Sequence, residues 1–260
     1  AVSALGCGAV AALGQAPWGL WWLTLPALGV ALYLMASTMT RRTAFWTGLG
    51  VGTGYFALAL AWIVEPFLID VARHGWMAPF AVVLLAVGLG LFWGTAAMLG
   101  RMAVHPILGI AVAIGLAEMA RGVVLTGFPW ALVGHVWIDT PVAQLAGYVG
   151  PNGLTLLTLL MAAGLATSWR VALGAGAALV LSLGAGVLIL AQPLPPARDV
   201  VLRLVQPNAE QSAKWDVDQA RILFDRQLAF TSVQPLPDLT IWPETAVPYT
   251  FEGSPGIAGM

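Results

Sequence analysis

Glu244 is the side chain in this sequence that is best placed to do chemistry. It follows LTIW (239–242), a short apolar run that predicts a β-strand, and Pro243, which ends that strand. In α/β folds, sites collect at the C-terminal ends of strands. A carboxylate there, partly removed from water by Trp242 and Tyr249, could accept a proton as a general base. On spacing alone, a solvated loop glutamate explains Glu244 better.

The other polar candidates have simpler explanations. The single cysteine, Cys7, lies in an apolar run and is expected to be a small buried residue. Glu118 and Arg121 are three residues apart on one helical face near its outer end, and we favour a mutual ion pair at the interface over a headgroup contact. Three predicted outer-loop residues lack the spacing of metal ligands: His74, His135 and Asp139. We expect neither a metal nor a cofactor.

The charge pattern divides the chain. Of 260 residues, 59% are hydrophobic and 9% charged, against about 25% charged in soluble domains. Ten of the 23 charged side chains precede residue 192 and thirteen follow it. We predict a transmembrane domain at 1–191, a proline-rich linker at 192–199 and an α/β domain from 200 to 260. A net charge of −1 leaves no basic surplus for phosphates, so nucleic acid is not an expected partner.

Seven apolar runs approach the roughly 20 residues that cross a hydrocarbon core of about 30 Å. They lie near 1–15, 18–36, 43–65, 76–100, 104–121, 143–168 and 170–191. The first is interpreted as a membrane helix clipped at its start. Tryptophans near the predicted helix ends indicate an interfacial belt. They are Trp18, Trp21, Trp22, Trp62, Trp76, Trp130, Trp137 and Trp169.

The orientation follows from the arginines in alternate loops, because positive charges favour the cytoplasmic side. One side carries Arg41, Arg42, Arg101 and Arg170, and the other carries Arg73 and Arg121. This count places the region after residue 191 outside the cytoplasm. Within that region, 200–205 predicts a strand, 215–230 a helix and 239–242 a second strand. One such α/β unit is too small to bury a sufficient core by itself.

Two stretches of the outer region, read in order, resemble a known family. QPNAEQSAKWD (206–216) and IWPETAVP (241–248) are similar to the opening of the nitrilase-like domain of apolipoprotein N-acyltransferases. In the membrane part, GFPW (127–130) and QAPW (15–18) resemble elements of the same family, and the stretch 62–76 resembles alphaproteobacterial members. The resemblance covers essentially the whole chain, as the N-terminal portion of such a protein.

The resemblance implies an acyl transfer from a phospholipid, through a cysteine thioester, to the amine of a lipoprotein's diacylglyceryl-cysteine. Glu244 corresponds to the family's general base. The family's lysine and nucleophilic cysteine lie further on and are absent here, so this polypeptide is expected not to turn over. Lys214 belongs to the earlier K-W motif and does not fill the vacant role. Trp215 matches a tryptophan near the lipid-binding site, although a core aromatic is an equally good reading.

The implied partners are a phospholipid donor and a diacylglyceryl apolipoprotein acceptor. The implied location is a bacterial inner membrane, with the α/β domain in the periplasm, and we expect a monomer. Trp130 in GFPW lies on the side of the α/β domain and could line a lateral lipid entry. Two alternatives remain: a transporter or lipid-binding scaffold with a small outer domain, and a nitrilase-like amidase with a membrane anchor.

Overall fold

The computed structural model describes residues 2–196, 198–209 and 217–244. The chain divides into two compact units, residues 1–192 and 193–260. The described part of the first unit is helical throughout its regular elements, whereas the second contains two short strands and a helix.

The first unit contains eight α-helices within its described residues. They are α1 (Val2–Ala12), α2 (Trp21–Ala36), α3 (Arg41–Ala59), α4 (Val71–His74), α5 (Ala78–Gly100), α6 (Pro106–Arg121), α7 (Ala146–Leu165) and α8 (Trp169–Leu190). Short 3₁₀ helices lie at Ala61–Leu68, Gly75–Met77, Val133–Trp137 and Pro141–Leu145. α7 is broken at Gly150, the residue before Pro151, where φ is 70° and therefore in the region that favours glycine.

A helix lies at each of the seven predicted runs. Within the described chain, three segments have by themselves the length and hydropathy expected of a membrane span. They are Val71–Gly100, Pro141–Leu165 and Trp169–Leu190. A fourth is added if Arg41–Ala59 and Ala61–Leu68 are counted as one span bent by 47°. The helices at the other predicted runs, α1, α2 and α6, are 11, 16 and 16 residues long, and their crossing of a membrane stays a prediction.

Small residues let α3 lie close to both α5 and α1. Gly48 and Gly52 are one turn apart on α3, and a Cβ built on Gly52 would lie 2.9 Å from the Cα of Gly90 on α5. A Cβ built on Gly54 would lie 2.0 Å from the carbonyl oxygen of Leu5 on α1. Membrane helices associate through such close backbone contacts because lipid offers little hydrophobic driving force.

The segment between α6 and α7 is held by side chains of α7. The Trp137 Nε1 donates to Thr158 Oγ1 at 2.7 Å, and the Gly134 amide donates to Thr155 Oγ1 at 3.0 Å. Trp137 is fully buried, so its predicted place in the interfacial belt is wrong. An indole needs one acceptor for its N–H, and Trp137 finds that acceptor on a neighbouring helix rather than at the membrane surface.

The second unit contains β1 (Leu202–Leu204), α9 (Val217–Thr231) and β2 (Leu239–Ile241). The two strands are parallel, with Leu202 opposite Leu239 and Leu204 opposite Ile241. This order confirms the predicted strand, helix and strand. Each strand is shorter than predicted, because the hydrogen-bonded ladder covers three residues of each apolar run.

Candidate functional site

Glu244 lies three residues beyond the end of β2, and its side chain is exposed. Its predicted place at the C-terminal end of a strand is therefore confirmed. The predicted shielding is not seen: Trp242 packs against α9, and Tyr249 lies outside the described residues. The structure thus presents Glu244 as an accessible carboxylate on a fixed piece of backbone.

Contacts on both sides fix the end of β2. The Trp242 Nε1 donates to Thr231 Oγ1 at 2.8 Å, and the indole ring meets Phe224 edge to face with centroids 5.8 Å apart. On the other side, the Val205 amide donates to the Ile241 carbonyl at 3.0 Å. The backbone is therefore anchored two residues before Glu244.

Arg203 and Asp238 tie the loops of this unit to β1. The Arg203 Nη1 donates to the Thr231 carbonyl and its Nη2 to the Pro235 carbonyl, both at 2.7 Å. The Asp238 Oδ2 accepts from the Val201 amide at 2.7 Å. Sequence reasoning missed both roles. The available signal was Arg203 itself, a charged residue that alternates with leucines inside a predicted strand.

Trp215, the predicted lipid-contacting residue, lies outside the described residues, as does Lys214. Its role stays a prediction. Trp130 is described, and it is 57% exposed. Its ring lies edge to face with that of Trp62, with centroids 5.7 Å apart, and Trp62 is also exposed. The first unit therefore presents a pair of exposed indoles, each with a large apolar face and one N–H donor, a combination suited to a membrane interface.

The predicted pairing of Glu118 with Arg121 is confirmed. The Arg121 Nη2 lies 2.7 Å from Glu118 Oε2, and its Nε donates to Oε1 at 2.9 Å. Both side chains are enclosed by the helical bundle, Glu118 at 0% and Arg121 at 1% exposed. Arg121 is the last residue of α6, so it was wrongly counted as a loop charge. Removing it from the count leaves Arg73 alone on the outer side.

Aromatic and amide groups from α3, α5 and the α1–α2 turn complete this buried cluster. The Trp93 Nε1 donates to Glu118 Oε1 at 2.8 Å. The ring of Tyr55 stacks on that of Trp93 with centroids 5.1 Å apart, and the Gln15 Nε2 donates to the Tyr55 hydroxyl. The sequence analysis missed these three residues. The signal that could have found them is the charged pair inside a predicted membrane helix, because such a pair needs further hydrogen-bond partners from neighbouring helices.

The described residues contain no group of three or more His, Cys, Asp or Glu side chains that could hold a metal ion. Cys7 is partly exposed on α1 and packs against the core. The polar chemistry of the described chain is therefore concentrated at Glu244 and at the Glu118–Arg121 cluster.

These features define a class of protein: a helical membrane bundle followed along the chain by a parallel α/β unit with a carboxylate beyond one strand. Comparison with known proteins agrees. Residues 7–164 match the family described as apolipoprotein N-acyltransferase N-terminal domain. An apolipoprotein N-acyltransferase of Caulobacter vibrioides is 40% identical over 94% of this chain and 49% of the relative. Those of Allorhizobium ampelinum and Brucella suis are each 31% identical over 98% of this chain and 53% of the relative.

The chain belongs to the apolipoprotein N-acyltransferase family. It spans about half the length of the curated relatives it matches.

Proposed function

We propose that this chain supplies the membrane half and the general base of an enzyme that N-acylates apolipoproteins. The acyl donor is a phospholipid, and the acceptor is the N-terminal amine of a diacylglyceryl-cysteine. The observation that carries the proposal is Glu244, an exposed carboxylate anchored just beyond a strand of a parallel α/β unit, in a chain of this family. Residues 200–260 are proposed to begin a nitrilase-like domain.

In the proposed reaction, Glu244 takes the proton of a cysteine thiol. The thiolate attacks the ester carbonyl of the phospholipid and the ester C–O bond breaks. Glu244 returns the proton to the oxygen of the leaving lysophospholipid, and the acyl chain is held as a thioester. The amine of the acceptor then attacks the thioester, loses its proton to Glu244, and releases the thiolate. A lysine donates to the oxyanion that forms in each step.

The 260 residues contain one lysine, Lys214, and one cysteine, Cys7. Neither fits the proposed chemistry, because Lys214 belongs to the K-W motif and Cys7 lies within α1. We therefore expect these 260 residues on their own to form no acyl-thioester. The thiol and the oxyanion donor must come from outside this stretch.

A membrane setting follows from the substrates. Each CH₂ group moved from water into an apolar environment contributes about 0.8 kcal/mol, so a phospholipid donor stays in the bilayer and the site must lie against it. We propose an inner-membrane protein that acts as a monomer, with residues 193–260 on the periplasmic side. The arginine distribution supports that orientation. The exposed pair Trp62 and Trp130 is proposed to contact the lipid as it approaches.

The test uses the full-length protein encoded by the gene that contains these residues. Glu244→Gln keeps the size of the side chain but cannot accept a proton. We expect loss of the trapped acyl-thioester and a fall in turnover of about 10²–10⁴-fold, the range for general acid–base catalysis. Asp225→Asn is the matched control, since Asp225 is an exposed carboxylate on α9. A thioester formed at the control rate by Glu244→Gln would refute the general-base role.

A further inference from the structure

The Arg121 guanidinium holds two partners at once. On one side, its Nε and Nη2 donate to the two oxygens of Glu118, at 2.9 and 2.7 Å. On the other side, its Nη1 donates to the carbonyl oxygens of Phe128 and Trp130, the latter at 2.8 Å. The ion pair is therefore also a clamp on the segment 127–132, which contains GFPW and is called here the GFPW loop.

The clamp is rigid because its other surfaces are occupied. Glu118 Oε1 also accepts from Trp93 Nε1 at 2.8 Å, so the carboxylate cannot rotate without losing a buried donor. The guanidinium carbon of Arg121 lies 5.0 Å from the ring centroid of Phe56, a distance at which an aromatic face attracts a cation. Because the guanidinium group is planar, fixing one edge of it on Glu118 points its Nη1 towards the carbonyls of Phe128 and Trp130.

Backbone hydrogen bonds hold the start of the GFPW loop: the Gly127 amide donates to the Val124 carbonyl at 3.0 Å, and the Phe128 amide donates to the Arg121 carbonyl at 2.8 Å. Gly127 and Ala131 have φ values of 77° and 55°, and the alanine is in a region that side chains rarely adopt. Pro129 has no amide proton to donate. The carbonyls of residues 128 and 130 go to Arg121, and that of Leu132 accepts from Gln15 Nε2 at 2.9 Å. Side chains of the bundle thus hold every second carbonyl of the loop.

The donor of these bonds is itself enclosed by the bundle, because the Arg121 side chain is 1% exposed and that of Glu118 is 0% exposed. Between the two clamped carbonyls, the backbone leads to Trp130, whose ring is exposed against Trp62.

We propose that Arg121 is a positioning residue: with Glu118 behind it, it sets the backbone of the GFPW loop and so places the Trp62–Trp130 pair where the acyl-donor lipid docks. The lipid-docking part rests on the function proposed above, whereas the setting of the loop does not. A residue that acts in this way governs lipid binding more than the chemical step.

The decisive variant removes both charges and keeps the acceptor of Trp93: Glu118→Gln with Arg121→Met. Replacing a buried ion pair with neutral groups of similar size is often tolerated. We expect its unfolding midpoint in detergent to stay close to that of the parent. In lipid nanodiscs, we expect the amides of residues 127, 128 and 130–132 to exchange hydrogen about tenfold faster, with no change in α3. In the full-length protein, the KM for phospholipid should rise about tenfold while kcat changes less than twofold.

Two further variants keep the test decisive if the double variant folds poorly. Arg121→Lys retains the charge beside Glu118 but lacks the planar fork, so it should preserve the unfolding midpoint yet give fast loop exchange and a raised KM. Arg101→Met is the matched control, because Arg101 donates to the Thr38 carbonyl at 3.1 Å elsewhere in the bundle. It should leave the GFPW loop and the KM unchanged.

Parent-like loop exchange and KM in the double variant, or in Arg121→Lys, would overturn the proposal and leave the pair a purely structural one. Equal loop exchange in Arg101→Met and the double variant would also overturn it, because the response would then be general. If the loop responds to Arg121 but the protein transfers no acyl chain, the proposed function fails and the setting of the loop stands. If the parent protein transfers the acyl chain but the Arg121 variants change neither the exchange of the GFPW loop nor the KM for phospholipid, only the positioning role fails.

Discussion

Replacing Thr158 with valine removes a hydroxyl that joins α7 to the segment before it, with little change of shape. In the structure, Thr158 Oγ1 accepts from Trp137 Nε1 at 2.7 Å and donates to the Leu154 carbonyl at 2.7 Å. Trp137 and Thr158 are both 0% exposed. The substitution therefore leaves a buried indole N–H without its acceptor.

Two magnitudes bear on the expected loss. A buried donor left unsatisfied costs about 1–3 kcal/mol, whereas hydrogen bonds between membrane helices average about 0.6 kcal/mol and reach about 1.7 kcal/mol. The low average arises because the unfolded chain in a membrane also finds partners. The complete burial of both side chains favours the upper part of the second range. We expect a loss of about 1.5 kcal/mol in the free energy of unfolding, close to a tenfold change in the unfolding equilibrium constant.

The assay is reversible unfolding in mixed micelles, followed by circular dichroism, for the parent, Thr158→Val, Trp137→Phe and the double variant. The coupling energy from this cycle isolates the bond between the two side chains. Thr167→Val is the matched control, since the Thr167 hydroxyl, just beyond the end of α7, donates to the carbonyl of Ala163 within α7 at 2.8 Å. A coupling energy below about 0.3 kcal/mol, or equal losses in Thr158→Val and Thr167→Val, would refute the reasoning.

Two other predictions follow from the packing of the first unit. Gly54→Ala should lower the free energy of unfolding by about 1–3 kcal/mol, because its Cβ would lie 2.0 Å from the Leu5 carbonyl oxygen. Gly6→Ala is the control: its Cβ would meet nothing within 4 Å, and it should be neutral. Equal effects of the two substitutions in the same micelle assay would contradict the close contact. Burial lowers the pKa of His135, and the charge of Arg121 lowers it further, so the folded state favours the neutral imidazole. The contribution of His135 to the free energy of unfolding is therefore complete above about pH 6.5 and is lost as the pH falls through the lowered pKa. His135→Gln should flatten that pH dependence, and an unchanged slope would contradict this assignment.

The α/β unit could be predicted from the sequence because local signals agreed there. Apolar runs separated by a polar stretch gave two strands and a helix, and Glu244 was placed beyond the second strand. The exposure of Glu244 was not predicted. It depends on where the Trp242 side chain turns, and Trp242 finds its hydrogen-bond partner on α9.

The membrane unit shows the limit of hydrophobic runs. Such runs locate helices, but they do not separate a helix from the apolar turn beside it, so α1 and α2 are shorter than the runs that predicted them. Charge spacing predicted the pairing of Glu118 with Arg121. It did not predict their burial, which depends on Trp93 and on the GFPW loop and therefore on contacts between residues distant in sequence.

The short parallel ladder of β1 and β2 has a practical consequence. Leu202 and Leu204 on one strand, and Leu239 and Ile241 on the other, remain exposed. Parallel sheets in proteins are normally covered on both faces, and strand edges with free backbone groups pair readily with other chains. A preparation that separates residues 193–260 from their surroundings would present both hazards together. Self-association during purification is the expected behaviour, and a mild detergent or a fused solubility partner is the sensible precaution.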